Sequence, residues 1–342
     1  MIIDEGRYSR IDIVNGIGIL FVVLGHYGSF MDEESWAIWI WSWHMPLFFL
    51  TGGYLFAKKE KEYFERGLLQ YLKHSVTHIL FPYFVFFLLS IGVKDILLPL
   101  ARGGKTISLP IFWYIKCLIL GGGYLENINF PLWFFELYFI CRITYYCVRT
   151  IRGFNKRLYE LIILVILITT EPFQTYVSGR PPFHINVLPA GIVFMAIGSF
   201  YAEIEYRVCT YNFVRQYDEL IAWLFGFLGI CVAYYFPGNI ANIGTLMYIL
   251  GAVASVGAIY ILAKHFDSNV LCFFGKNSIY ILGLHGLIGG MFRNFVEGRI
   301  FKKWDGPLMN FVLVALQMMT LSFLIVVWKR GVLLLNKKVG KM

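Results

Sequence analysis

Long apolar runs separated by short charged blocks constrain this chain more than any other feature of its sequence. Ile11–Gly28, Leu158–Tyr176 and Asn242–Ala263 each reach the roughly 17–25 residues a helix needs to cross about 30 Å of hydrocarbon. Of 342 residues, 58% are hydrophobic, 18% aromatic and only 15% charged, a balance that water does not solvate. The 22 Tyr and 9 Trp suit two aromatic belts at the membrane interfaces. The chain therefore reads as an all-α, polytopic membrane protein, a single domain over 1–342.

Ten transmembrane helices are expected, at about 11–28, 36–56, 75–93, 131–149, 158–176, 187–204, 219–237, 242–263, 278–294 and 307–329. The segments 57–74 and 149–157 are the densest basic loops, which makes them cytoplasmic and sets both termini inside. Were 107–124 also to cross, the loop at 149–157 would fall outside. That stretch is therefore expected as an interfacial or re-entrant helix. The acidic turn Asp32–Glu33–Glu34 then lies outside and the basic C-terminal tail inside. Segment 293–306 breaks the pattern: it carries Arg293, Arg299, Lys302 and Lys303 yet falls outside, marking either an anionic ligand there or a miscounted span.

The net charge of +9 sits in short blocks between apolar runs, so it reads as topology and not as a nucleic-acid surface. Six scattered cysteines lack metal-ligand or disulfide spacing and read as small core residues. The first apolar run follows Arg7 and Arg10 as in a signal peptide, but no small-x-small cleavage site follows it. It is expected to stay as the first helix.

An ionisable side chain inside a span costs about 2.5–3.5 kcal/mol on insertion scales, so each marks a candidate site. His26 ends the first helix, where it either caps the helix or does chemistry. His44 lies in a Trp-Ser-Trp-His-Met-Pro stretch followed by Gly52 and Gly53, which permit close helix approach. Joined by the short acidic turn, the first two helices pack antiparallel, which places His26 and His44 in the same half. They could form a general base and its partner, or merely an interhelical hydrogen bond. Glu136 and Arg142, six residues apart, lie on different faces of one helix; Arg142 could reach toward an interface, leaving Glu136 as the site candidate. Lys73, His74 and His78 form a basic cluster at the start of the third span, a headgroup contact or a phosphate-binding mouth. His74 and His78 share a face, but no acidic residue nearby completes a metal site, and none is expected.

These segments together resemble the acyltransferase 3 family of bacterial membrane acyltransferases, particularly the branch similar to fucose 4-O-acetylase. The match lies in Arg10–His26 (RIDIVNGIGILFVVLGH), Trp43–Phe56 (WHMPLFFLTGGYLF), Pro131–Phe134 (PLWF) and Gly275–His285 (GKNSIYILGLH), in order across nearly the whole chain. The resemblance implies O-acylation of a carbohydrate, usually from acetyl-CoA, with the first-helix histidine, His26, as the essential residue. The family commonly has Arg or Lys eleven positions before this histidine, where this chain has Asn15. Arg10, one and a half turns earlier, could supply that charge. The family's basic residues at the third helix look partly replaced by His74 and His78, with Lys73 retained.

On this reading an acyl-CoA donor docks its phosphates on the cytoplasmic side, at Arg10 and Lys73. Its pantetheine arm would thread upward to His26. Trp133 and Tyr54 would wall the acyl channel or stack on the sugar, although ordinary packing explains them equally well. No tightly bound cofactor is expected. The partners are a carbohydrate or lipid-linked glycan acceptor, acyl-CoA and the bilayer of the cell (inner or plasma) membrane. The rivals are a transporter or flippase for a lipid-linked sugar, and a non-catalytic subunit of a polysaccharide export complex. His285, closing the fourth motif, is expected to tolerate replacement by Gln.

Overall fold

The computed structural model describes residues 5–26, 35–97, 110–177, 179, 181–212, 216–292 and 307–339. The acidic turn 32–34 and the basic segment 293–306 lie outside the described residues. The described residues are 90% helical, with no strand among them.

The helices are α1 (Glu5–Gly25), α2 (Ser35–Lys58), α3 (Glu60–Ser75), α4 (Phe81–Ile91), α5 (Ile111–Leu120), α6 (Trp133–Phe154) and α7 (Lys156–Tyr176). They continue as α8 (Leu188–Thr210), α9 (Asp218–Tyr235), α10 (Leu246–Leu262), α11 (Asn269–Lys276), α12 (Ser278–Phe292) and α13 (Pro307–Val339). Each of the ten expected segments falls on a helix or helical run. Among the described residues, five helical runs are long and apolar enough to cross a membrane, or six if α11 and α12, bent by 82°, count as one broken span. At ten residues α5 is about 15 Å long, too short to cross.

α2 is apolar all round, and such a helix belongs in the middle of a bundle. It packs against α1, α8, α9 and α10, burying Ile40, Trp43, Leu47, Phe49 and Phe56. Close approach to α8 depends on paired glycines: a Cβ on Gly53 would collide with the Met195 carbonyl, and one on Gly198 with the Leu50 carbonyl. The peripheral helices show the opposite pattern. α7 presents Leu161, Leu164, Val165 and Ile168 outward, and α9 presents Trp223, Leu224 and Phe227. Only 11% and 17% of their apolar windows are buried in the protein, against 67% for the run containing α8. Their outward faces are suited to hydrocarbon.

One end of the bundle is basic. The expected loop at 57–74 is mostly the amphipathic helix α3, broken at Gly67 (φ 78°) and laced by the ion pairs Lys61–Glu65 and Glu62–Arg66. The loop at 149–157 shrinks to the single residue Asn155 between α6 and α7, whose side chain caps α7 by accepting from Leu158 N at 3.0 Å.

Arg149, 2% exposed, grips both oxygens of Glu60 at 2.8 and 3.0 Å and also pairs with Glu203, joining α6 to α3 and α8. Glu205 is buried on the same helix, accepting from Tyr54 Oη at 2.8 Å and Tyr260 Oη at 2.6 Å, with Lys58 at 3.4 Å and Arg10 at 3.7 Å.

Candidate active site

Four cavities form a line from the basic end to the opposite end. At the far end, one of about 280 Å³ is walled by His26, His44, Trp41, Trp133 and His184. Its neighbour, about 250 Å³, is walled by His26, His285, Lys94, Asn129 and Gln317. The two share His26, Phe130 and Pro131. Toward the basic end, a cavity of about 180 Å³ between Asn15, Thr51, His78, Tyr138 and Arg142 touches the aromatic cavity through Leu282. A last cavity, about 190 Å³, has Lys59, Tyr63, Tyr71, Tyr138 and Arg142 in its wall and shares Gly52, Leu55, Tyr138 and Arg142 with the previous one.

Helical rise sets the depth of this line. Along α6, Trp133 and Arg142 are nine residues apart, about 14 Å; along α2, His44 and Lys58 are fourteen apart, about 21 Å, with Lys59 next. Asn15 and His26, eleven residues apart along α1 and its final turn, are separated by about 16 Å. An extended pantetheine arm has a reach of this order.

The histidines meet at the far end. The rings of His26 and His285 are 5.2 Å apart, centroid to centroid. His285 Nδ1 donates to the Leu282 carbonyl at 2.8 Å, and His44 Nδ1 donates to the Ile40 carbonyl at 2.8 Å. In both neutral rings Nε2 is therefore the lone-pair nitrogen, held in a fixed orientation. His44 is buried, while His26, in the wall of both outer cavities, is exposed.

The other expected site residues divide. Trp133 stands in the aromatic cavity, 4.9 Å from His184. Asn15 lines the inner cavity, its Oδ1 accepting from Thr51 Oγ1 at 2.9 Å, and His78 lines it too. Lys73 and His74 are exposed and line none of the four cavities; the His74 ring stacks on His78 at 4.0 Å. Arg10 and Tyr54 sit in the Glu205 network at the basic end, away from the cavity walls. Glu136 is not brought to the histidines. Its carboxylate accepts from Gly122 N at 3.0 Å, and Gly121 (φ 51°) has no room for a Cβ because the same carboxylate fills that space. Glu136 thus holds the turn after α5.

Several site residues have no counterpart among those expected from sequence. Arg142 does not reach for an interface: its guanidinium lies 5.0 Å over the Tyr71 ring and faces both inner cavities, and no carboxylate among the described residues pairs with it. His184 stands at φ 49°, where a side chain strains the backbone, with its ring in the aromatic cavity. Gln317, an amide in the apolar run of α13 seven residues after Asn310, is the one a search for polar residues inside spans would find. Asn129 and His184 carry no such signal.

A bundle with an apolar periphery and imidazoles in its interior fits a membrane protein. The family model for the acyltransferase 3 family, described as an acyltransferase domain, matches residues 8–328, and the chain belongs to that family. It is a membrane acyltransferase. No curated protein and no solved structure matches it.

Proposed function

We propose that the protein is a multi-pass O-acyltransferase of the cell membrane that moves an acetyl group from acetyl-CoA to a sugar hydroxyl of a cell-surface or lipid-linked glycan. The observation that carries this reading is the line of cavities joining a cationic chamber at the basic end to a histidine cluster at the other. Ten spans with both termini inside would put the basic end in the cytoplasm, where acyl-CoA is available, and the histidines in the outer half.

In this reading the phosphates of the donor lie near Lys59 and Arg142, and the pantetheine arm runs past Tyr138 and Phe134 to the aromatic cavity. His26 Nε2 or Nδ1 takes the proton of the sugar hydroxyl as its oxygen attacks the thioester carbonyl carbon. The carbon–sulfur bond breaks, and the imidazolium returns the proton to the departing thiolate, giving the sugar ester and free CoA. His285, packed against His26, holds its ring in place, and the apolar walls exclude water that would hydrolyse the thioester.

The test is transfer of labelled acetyl from acetyl-CoA to glycan by the purified protein in lipid nanodiscs. Label appearing in an alkali-labile sugar ester is the expected result. Label remaining on CoA while glycan crosses the bilayer would replace this reading with a transporter.

A further inference from the structure

The inner cavity and the aromatic cavity meet at one level of the bundle, and the residues there come from four helices. On α1, Ile19 lines the inner cavity and Val22 the aromatic one; on α2 the division falls between Phe48 and Met45, and on α6 between Phe134 and Trp133. α12 supplies Leu282, the only described residue that lines both. It is 4% exposed. Ile19, Phe48, Phe134 and Leu282 thus form a neck on the route that the proposed donor takes.

Three sides of this neck are fixed. The Phe134 ring is held by Phe49 at 5.4 Å, by stacking on Tyr138 at 5.1 Å and by Phe48 at 5.9 Å. Phe48 lies against α1, where a Cβ on Gly18 would stand 3.2 Å from its ring. Ile19 is completely buried and, branched at Cβ, has little freedom at χ1 in a helix. On the fourth side the backbone is anchored: the Leu282 carbonyl accepts from His285 Nδ1 at 2.8 Å, and a Cβ on the next residue, Gly283, would stand 2.1 Å from the Phe86 ring. The Leu282 side chain, able to change rotamer about that fixed backbone, is the part that can yield.

We infer that Leu282 is the selector of the acyl group: the neck admits a straight acyl chain and rejects one branched beside its carbonyl. The inference rests on the acyl-transfer reading above. With the phosphates held at the basic end and His26 at the other, the acyl group leads the pantetheine arm and passes the neck first. A straight chain presents one carbon at a time. A second methyl on the carbon next to the carbonyl must instead be fitted between rings that cannot retreat, and close-packed walls resist even one added methyl. Pockets of this kind separate substrates that differ by a methylene by about 10- to 200-fold. The n-butyryl and isobutyryl groups contain the same atoms, so a difference between them reports shape and not hydrophobicity.

The experiment uses the full-length protein in nanodiscs with acetyl-, n-butyryl- and isobutyryl-CoA, each labelled in the acyl group, and a mixture of methyl glycosides of glucose, galactose, mannose and fucose as acceptor. For the parent, kcat/KM with n-butyryl-CoA should exceed that with isobutyryl-CoA about tenfold or more. Leu282→Ala should bring the two within about twofold. Leu282→Val removes a single methylene, keeps most of the packing if the Ala variant fails to assemble, and should narrow the ratio about threefold. A parent that uses both butyryl donors equally overturns the sieve, as does one that uses acetyl-CoA but rejects both butyryl donors alike, since it then selects on length. A ratio unchanged in the Leu282 variants overturns Leu282 as the selector. A parent that binds acetyl-CoA and transfers acetyl to none of the glycosides overturns the acyl-transfer reading itself.

Discussion

The two ends of this bundle differ in what their buried polar groups are. At the basic end they include charges, and these are matched: Arg149 with Glu60 and Glu203, Glu205 with Tyr54 and Tyr260. At the histidine end, Gln317 Oε1, Asn129 Oδ1 and His285 Nε2 have no partner among the described residues. Arg142, midway, has a tyrosine ring but no carboxylate among the described residues. Within one apolar scaffold, the basic end pairs its buried charges across helices, while the histidine end keeps neutral acceptors without partners among the described residues. Burial does not distinguish the two ends: Arg149 and Gln317 are both almost completely enclosed.

The largest effect should follow from His26, the group placed at the mouth of both outer cavities. Gln keeps much of the size and hydrogen bonding but cannot carry a proton. His26→Gln should insert and express like the parent and lose about 10²–10⁴-fold in acetyl transfer. Acylation within a few-fold of the parent would make His26 a helix-end residue and nothing more.

Arg149 offers the converse. Arg149→Met should leave activity per folded molecule unchanged but destabilise the protein by about 2 kcal/mol, read as a lower unfolding temperature in detergent. The figure is below the 3–5 kcal/mol of fully buried pairs because Glu60 and Glu203 are 25% and 30% exposed and can rehydrate. Adding Glu60→Gln and Glu203→Gln should recover part of the loss. If the single variant is fully stable and inactive, the basic end is part of the site and the comparison fails.

This contrast also explains what could be read in advance. Apolar run length located the helices, since spanning is a property of consecutive residues, and the Gly52–Gly53 pair correctly marked a close helix contact. His26 and His44, expected at one level because consecutive helices pack antiparallel, do share a cavity wall, and Trp133 lines it too. Which polar groups inside spans share a wall depends on how each helix is rotated, and a sequence without partners does not record that. Glu136 illustrates the difficulty: a carboxylate in an apolar run looks like a site residue until the Gly121–Gly122 turn is seen wrapped around it. Tyr54 was drawn away in the same manner by Glu205, 151 positions later.

Arg142 sharpens the comparison at intermediate strength. On the proposed reading, a guanidinium without a carboxylate among the described residues, lining two cavities, would meet the phosphates that arrive with the donor. Arg142→Gln should raise KM for acetyl-CoA about tenfold while leaving KM for S-acetylpantetheine, which lacks the phosphates, unchanged. Equal losses for both donors would show that the residue only packs against its tyrosines.

The smallest effect is expected at Lys73 and His74, where family resemblance and structure diverge. In the resemblance these positions belong to a donor-phosphate mouth, but here both side chains are exposed and neither lines the route from Lys59 to His26. An exposed cation is well solvated, and its attraction to a phosphate is weakened by water and by salt, whose screening length is about 8 Å at physiological strength. His74 stacks on His78, but His78 also bonds its own turn, with Nδ1 donating to the His74 carbonyl at 2.9 Å, so removing the His74 ring leaves that anchor intact. Lys73→Ala and His74→Ala should therefore each change KM for acetyl-CoA less than twofold at about 150 mM salt. At about 10 mM salt, where screening weakens to a Debye length of about 30 Å, Lys73→Ala should lower the rate at subsaturating donor by a small, measurable amount. A tenfold KM increase at the higher salt would move the phosphate site from Arg142 to the start of the third span.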